Sequence, residues 1–380
     1  MYYFDHSATS PTHPEVLQSY LTITERYFAN PASIHKLGVA SSRLLVQAKQ
    51  QIKELFDIPT ANGEVIFTSG GTESNNLAIF GLAYANQQKG KSLITSKIEH
   101  PSVLECFKRL ETQGFSVTYL DVDQEGKVDL EQLKKALSKD TTLVSIMHVN
   151  NEVGTIQPLT QIKQLIQAYS TAIFHVDVVQ SYGKLPVNLD AKNADVISIS
   201  GHKINALRGS GALIMRHRYP LTPHMLSGGQ ESGLRSGTVA VNLAASLAKA
   251  MRLAKVNEEH AQYRKWKQAI VTAVEKMSAL EIVGDKIGAP HIISIAMPKI
   301  RGEVAINFLQ DREIIVSTSS ACSSTQQSTS HVIEHIQLSR HLQNGVIRIS
   351  FGMGNTDQQI EALIKGLNEL NEFISKELSK

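Results

Sequence analysis

Short, almost wholly apolar runs recur between longer stretches of helical periodicity through the first two-thirds of this 380-residue chain. That alternation restricts the fold more than any other feature. The runs are Glu64–Thr68, Ser92–Thr95, Ser116–Leu120, Thr142–His148, Ala172–Val176, Asp195–Ser200 and Gly211–Met215. Strands covered on both faces have this character, because neither face meets water and the polar alternation disappears. Between them the patterns predict helices over Glu73–Gln87, Ser102–Thr112, Leu130–Leu137 and Leu159–Tyr169. The expectation is an α/β fold with a mainly parallel sheet covered by helices. Ligands in such folds gather beyond the carboxyl ends of the strands, so residues directly after a strand matter most.

The pattern changes near Val239. A long helical stretch follows from Asn242 to about Met277, then short strands at Ile292–Ala296 and Ile314–Ser317. The closing segment Thr356–Ser375 repeats Ile360, Leu363, Ile364, Leu367, Leu370 and Ile374 at helical spacing. These features predict a large domain over 14–257 and a smaller α+β domain over 258–380 joined by residues 1–13. The Ser/Thr-rich stretch Ser317–Ser330 has almost nothing to bury and is expected to be a mobile loop. A net charge of +3 gives no basic field for nucleic acid. No apolar run approaches the roughly 18–20 residues of a membrane helix. The start, MYYFDHSATSPTHP, lacks the basic and apolar regions of a signal peptide. Two cysteines, Cys106 and Cys322, make neither a disulfide framework nor a four-cysteine metal site, which fits a reducing cytoplasm.

Three constellations follow strands. In Thr68–Asn76 (TSGGTESNN), Gly70 and Gly71 let the backbone approach a ligand, and Thr72 can cap a helix whose free amides suit a phosphate. A plain strand-to-helix turn would look the same. It is neither a G-x-G-x-x-G nor a P-loop pattern. At His175–Gln180 (HVDVVQ), Asp177 ends an apolar strand, where a carboxylate is costly without a positive or hydrogen-bonding partner. A protonated pyridine nitrogen or a set of backbone amides would serve. In Ser200–Lys203 (SGHK), Lys203 stands where a ligand should sit and can form a Schiff base, although most lysines are merely solvated. Phosphate cradle, strand-end Asp and strand-end Lys, in this order, are the three anchors of pyridoxal 5'-phosphate.

With these motifs in place the chain resembles the NifS/IscS-like cysteine desulfurases of the class V aminotransferase group. The likeness runs through DHSAT, NPASIHKLG, TSGGTESNN, Glu99-His100, HVNNEVGTIQP, HVDVVQSYGK, SGHK, GGQESGLRSGT, SSACSS and IRISFGMGNT. It implies an aspartate-aminotransferase-like fold and a homodimer. By this resemblance Lys203 would carry the cofactor as a Schiff base and later shuttle the α-proton. Asp177 would pair with the pyridine nitrogen, Gln180 with the phenolic oxygen, and His100 would stack on the ring and assist acid–base steps. Gly71, Thr72, Ser200 and His202 would hold the phosphate, and Thr238 would reach the neighbouring subunit's cofactor. Asn151 and Arg348 would position the substrate, Arg348 as a bidentate fork on its carboxylate. Cys322 would take the sulfur of L-cysteine as a persulfide, leaving L-alanine, whereas Cys106 reads as a small buried hydrophobe. No metal is implied.

The chain departs from the family pattern in three places. Ile204–Gly209 (INALRG) replaces a Gly-Pro-Lys stretch, and Val178 stands where a smaller Ala often faces the ring. A C-terminus shorter than in iron–sulfur scaffold-serving members counts against that partner, and the sequence does not choose the sulfur acceptor among an iron–sulfur scaffold, a tRNA-thiolating enzyme and a thiamine-pathway protein. The rival readings are a selenocysteine lyase, another β-lyase or aminotransferase of the group, and a non-catalytic sulfur-relay protein.

Overall fold

A computed structural model of the chain describes residues 1–59, 61–255, 259–318 and 329–378. The chain begins with β1 (Tyr2–Tyr3), α1 (Pro14–Arg26) and α2 (Lys36–Leu55). Strands and helices then alternate: β2 (Glu64–Thr68), α3 (Gly71–Asn86), β3 (Ser92–Ser96), α4 (Pro101–Glu111), β4 (Ser116–Leu120), α5 (Leu130–Ala136), β5 (Thr141–Ser145), α6 (Leu159–Tyr169) and β6 (Ile173–Asp177). Next come β7 (Val196–Ser200), β8 (Gly211–Met215) and α7 (Val241–Lys255). These strands form one sheet in the order β2-β8-β7-β6-β5-β3-β4. Only β8 runs antiparallel to its neighbours, so the expected mainly parallel α/β sheet is present. In β2, β5, β6, β7 and β8 every residue is buried, which is why they read as unbroken apolar runs.

The rest of the chain adds α8 (Glu259–Val274), β9 (Glu281–Val283), β10 (Ile292–Ala296), α9 (Gly302–Gln310), β11 (Ile314–Ile315), β12 (Ser317–Thr318), α10 (His331–His335), β13 (Val346–Ser350) and α11 (Asp357–Leu378). Strands β12-β13-β10-β9 make a small antiparallel sheet. A second core lies against it, built from Tyr263, Trp266, Phe351, Leu363 and Leu367, and Phe4 joins it from the far end of the sequence. The pairing of β1 with β11 brings the N-terminus there. The fold is thus α/β with a smaller α+β part.

Several expected boundaries move. The strand expected over 142–148 ends at Ser145, because β3 stops at Ser96 and offers no further carbonyl on that side. The next donor, Met147 N–H, goes to the Glu99 carboxyl at 3.0 Å instead. Asp195 leaves β7 to accept from Phe174 N–H at 2.9 Å and to pair with buried Lys163. The stretch expected as one helix from Asn242 to Met277 holds α7 and α8, and residues 256–258, where the domain boundary was expected, lie outside the described residues. Thr72 does not cap α3: the N-cap is Gly70, with no side-chain bond, and Thr72 sits in the first turn.

Gly70 takes φ 153° and ψ −176°, a conformation that side chains exclude. A Cβ on Gly211 would meet the Gly70 backbone at 2.6 Å, so the loop is pressed onto β8. Gly70→Ala should therefore destabilise the protein by about 1–3 kcal/mol. Urea unfolding of the variant checks this, and a midpoint unchanged from wild type would contradict it.

Candidate active site

A cavity of about 580 Å³ opens at the carboxyl ends of the parallel strands. Ten of the residues given a role in the sequence line it: Gly71, Thr72, His100, Asn151, Asp177, Gln180, Ser200, His202, Lys203 and Arg348. Their elements explain the convergence. Thr72 opens the helix after β2, His100 caps the helix after β3, Asp177 ends β6, and Ser200 ends β7 just before Lys203. Arg348 comes from β13 of the small sheet.

At one end, the first turn of α3 presents amides that the helix itself cannot use. A Cβ on Gly71 would lie 2.9 Å from Val179 and 3.3 Å from Ser200, so the backbone there is held close to the strand ends. His202 approaches Thr9 Oγ1 at 3.3 Å. Burial, reinforced by the Lys203 and Arg208 cations, pushes its imidazole down to about 4, so it is neutral near pH 7. Asp177 is buried, and its carboxylate accepts from Val179 N–H at 2.9 Å and from the Asn75 amide at 2.8 Å. His100 Nδ1 accepts from Ser102 N–H at 3.1 Å and meets Ser102 Oγ at 2.8 Å. Burial holds the His100 imidazole below its ordinary range, although Asp177 pulls the other way.

The N-terminal segment closes the cavity from the side. Lys203 Nζ donates to the Ser7 carbonyl and to the Ala8 carbonyl, the latter at 2.8 Å. Gln180 Nε2 donates to the same Ser7 carbonyl at 3.0 Å. Arg348 is 2% exposed; Nη2 meets Asp5 at 2.9 Å and Nη1 donates to the Asn151 carbonyl at 2.9 Å. Its Nε is buried without a partner, so one donor of a fixed fork remains for an anion. The amides, strand-end carboxylate, lysine and guanidinium together fit a phosphorylated pyridine aldehyde with an amino-acid carboxylate beside it.

Two singled-out residues do not line the cavity. Thr238 lies in an adjoining pocket of about 250 Å³, with Ser69 and Gly209. Cys322, with most of the Ser/Thr-rich stretch expected to be mobile, lies outside the described residues. The expectation for Val178 is corrected: its side chain is packed in the main core and Val179 lines the cavity, because consecutive residues leaving a strand face opposite ways. The INALRG stretch, a departure in sequence, stays at the site. Ile204 and Ala206 are core residues, Asn205 binds Ser10 and the Pro11 carbonyl, and Arg208 and Gly209 line the cavity.

Sequence reasoning missed Asp5, Ser7, Asn75, Ser102 and Glu152. DHSAT and TSGGTESNN held the first three, but nothing in residue type tells that the Ser7 carbonyl is the working group. Glu152 is buried beside Asn151, accepts from Ser330 Oγ at 2.5 Å, and so fixes the start of α10.

Fold and cavity together define a two-part α/β enzyme with its site at the carboxyl edge of the large sheet. The chain belongs to the class-V aminotransferase family, whose model matches residues 2–363, a family of pyridoxal-phosphate enzymes. It is 39% identical to a putative cysteine desulfurase IscS 1 of Bacillus subtilis, with 96% of each chain covered. Among solved structures it is similar to a NifS-like protein at TM-score 0.89 and 33% identity, covering 98% of this chain and 99% of that one. Another, described as SspA in complex with cysteine, matches at TM-score 0.82 and 32% identity, covering 92% of this chain and 99% of that one.

Burial raises two carboxyls near the cavity: Glu99 to about 8 and Glu152 to about 7. An acid whose folded value is raised binds its proton more tightly in the native state. Its contribution is complete below the ordinary value of 4.5 and is lost as pH rises towards the folded value. Stability measured by urea unfolding should therefore fall between pH 4.5 and 8 more steeply in wild type than in Glu99→Gln. Parallel profiles would show that Glu99 is not held protonated.

Proposed function

We propose that this chain is a cysteine desulfurase that uses pyridoxal 5'-phosphate to convert L-cysteine to L-alanine and keeps the sulfur as a persulfide on Cys322. The observation that carries this reading is the meeting of Lys203, Asp177 and Arg348 in one cavity of a chain from a family of pyridoxal-phosphate enzymes. Relatives named as cysteine desulfurases and a structural neighbour named with cysteine bound give the substrate class. When bound, the cofactor supplies an electron sink for negative charge at the substrate α-carbon.

The chain's own groups divide the remaining work. The first-turn amides of α3, with Thr72, Ser200 and His202, hold the phosphate, and Asp177 keeps a positive charge at the ring nitrogen. Arg348 holds the substrate carboxylate and Asn151 shares that contact, since its carbonyl already orients Nη1. Lys203 tethers the cofactor and moves the α-proton. His100, with Nδ1 accepting from Ser102 N–H, carries its neutral proton on Nε2 and covers the ring without adding charge. The Cys322 thiolate attacks the substrate sulfur: an S–S bond forms, the C–S bond breaks, and its electron pair stays with the substrate fragment. A proton delivered to that carbon completes alanine.

Cys106 is unsuited to this role. It lies inside α4, donates to the Ser102 carbonyl at 3.1 Å, and burial pushes its thiol up to about 12. That leaves Cys322 of the two thiols. The protein works in the reducing cytoplasm, where a persulfide can be passed on to a sulfur-acceptor protein such as an iron–sulfur scaffold, a tRNA-thiolating enzyme or a thiamine-pathway protein. It does so as a homodimer, with Thr238 reaching across to the other subunit's phosphate. Exposed Phe28, Ile34, Leu37 and Val46 on and before α2 support such self-association.

Lys203→Ala should abolish alanine formation, measured with purified protein and L-cysteine; near-normal turnover would overturn the assignment of Lys203. Cys322→Ser should keep the visible band and its response to L-cysteine but form no alanine and no labelled persulfide. Its stability should stay within about 0.5 kcal/mol of wild type. Alanine made at the wild-type rate by Cys322→Ser would move the protein to the lyase reading, and selenocysteine turnover by the same variant separates the two mechanisms.

A further inference from the structure

The Asn75 side chain is almost wholly buried in the first turns of α3 and spends both amide protons on the active site. Nδ2 donates to Asp177 Oδ2 at 2.8 Å and to Ser102 Oγ at 2.9 Å. The orientation of the amide follows from chemistry, because an ionised carboxylate only accepts and so must face the nitrogen. Ser102 Oγ has one proton; accepting from Asn75, it turns that proton to His100 Nδ1, 2.8 Å away. One neutral group thus joins the ends of β6 and the start of α4, two elements that otherwise meet the cavity independently.

We propose that Asn75 is a positioning residue that fixes the plane of the Asp177 carboxylate against the cofactor's ring nitrogen and, through Ser102, the ring of His100 on the opposite leg of the same fork. This rests on the reading of Asp177 as the partner of that nitrogen. An amide suits the position better than the alternatives. A carboxylate would repel Asp177. An apolar side chain would leave Asp177 Oδ2 and Ser102 Oγ buried without that donor, and the carboxylate would turn about its last bond. A neutral donor holds Asp177 in place without cancelling the charge that the ring nitrogen needs. Val179 N–H holds only the other oxygen, Oδ1, so Asn75 is what removes the remaining freedom.

The test compares binding of pyridoxal phosphate with binding of its 1-deaza analogue, in which a C–H replaces the ring nitrogen. Apo full-length protein is titrated with each and followed by absorbance. Wild type should prefer pyridoxal phosphate, because only its nitrogen can meet Asp177, and Asp177→Asn should erase most of that preference. Asn75→Ala should reduce the preference by about tenfold, as expected for a lost hydrogen bond to a charged group, while binding of the deaza analogue changes little. Adding Asn75→Ala to Asp177→Asn should then cost almost nothing further, since the two act as one unit. A merely structural Asn75 would weaken both ligands alike, and that result overturns the proposal. So does a wild-type preference retained in Asn75→Ala. A wild type that binds both ligands equally would instead overturn the reading of Asp177 itself. Asn75→Ser, which keeps one donor and a small side chain, guards against a folding defect: it should fall between wild type and Asn75→Ala, and full wild-type preference there would also count against the amide fork.

Discussion

A carboxylate at the end of a strand buried on both faces is the constraint from which much of this site follows. Asp177 is buried, so its charge must be met by donors fixed in advance. One comes from the chain's own turn at Val179, and one crosses from α3 through Asn75. That requirement places α3 against the end of β6. It thereby fixes the glycine-rich turn that precedes α3, with Gly71 too close to Val179 to carry a side chain. The phosphate end and the nitrogen end of the cavity are therefore set by one piece of packing. Polar groups buried at this density carry a large penalty if any member is missing, which favours a single arrangement over several approximate ones.

Much of the fold was legible because burial leaves a plain trace in residue type. Strands covered on both faces appear as Val/Ile-rich runs, and α11 shows its core contacts as a helical stripe from Ile360 to Ile374. The cavity's charged groups were legible for the opposite reason: an Asp or Lys directly after such a run is costly and calls for a partner. Where the reading failed, the deciding group was a backbone atom or a tertiary contact. The Ser7 carbonyl that receives both Lys203 and Gln180 leaves no mark on the sequence, since any residue supplies a carbonyl. Thr72 reads as a cap because Thr often serves as one, but Gly70, in a backbone conformation open to glycine, caps the helix two residues earlier. Val178 follows Asp177 directly in sequence, but the alternation of the strand sends it to the core.

Electrostatics in and around the cavity are arranged by burial more than by ion pairing. His202 and His100 are kept neutral, Glu99 and Glu152 are kept protonated over part of the neutral range, and the Cys106 thiol is silenced. Fixed positive charge is left to Lys203, Arg208 and Arg348, all of which line the cavity. These cations give the site its attraction for anions, set against the carboxylates of Asp177 and Glu73 that also line it and of Asp5 on Arg348.

The first ten residues have their partners spread over the whole length of the chain. Tyr2 and Tyr3 pair with Ile314 and Ile315, Ser7 receives Lys203, and Asp5 holds Arg348, 343 positions away. During synthesis this segment leaves the ribosome well before its partners and must wait for them before it can settle. The large parallel sheet can assemble as its strands emerge, but the cavity gains its last wall only when β13 exists. Catalytic competence thus acts as a proofreading mark of a finished chain: a product that stops short of β13 can hold a folded sheet and still own no working site.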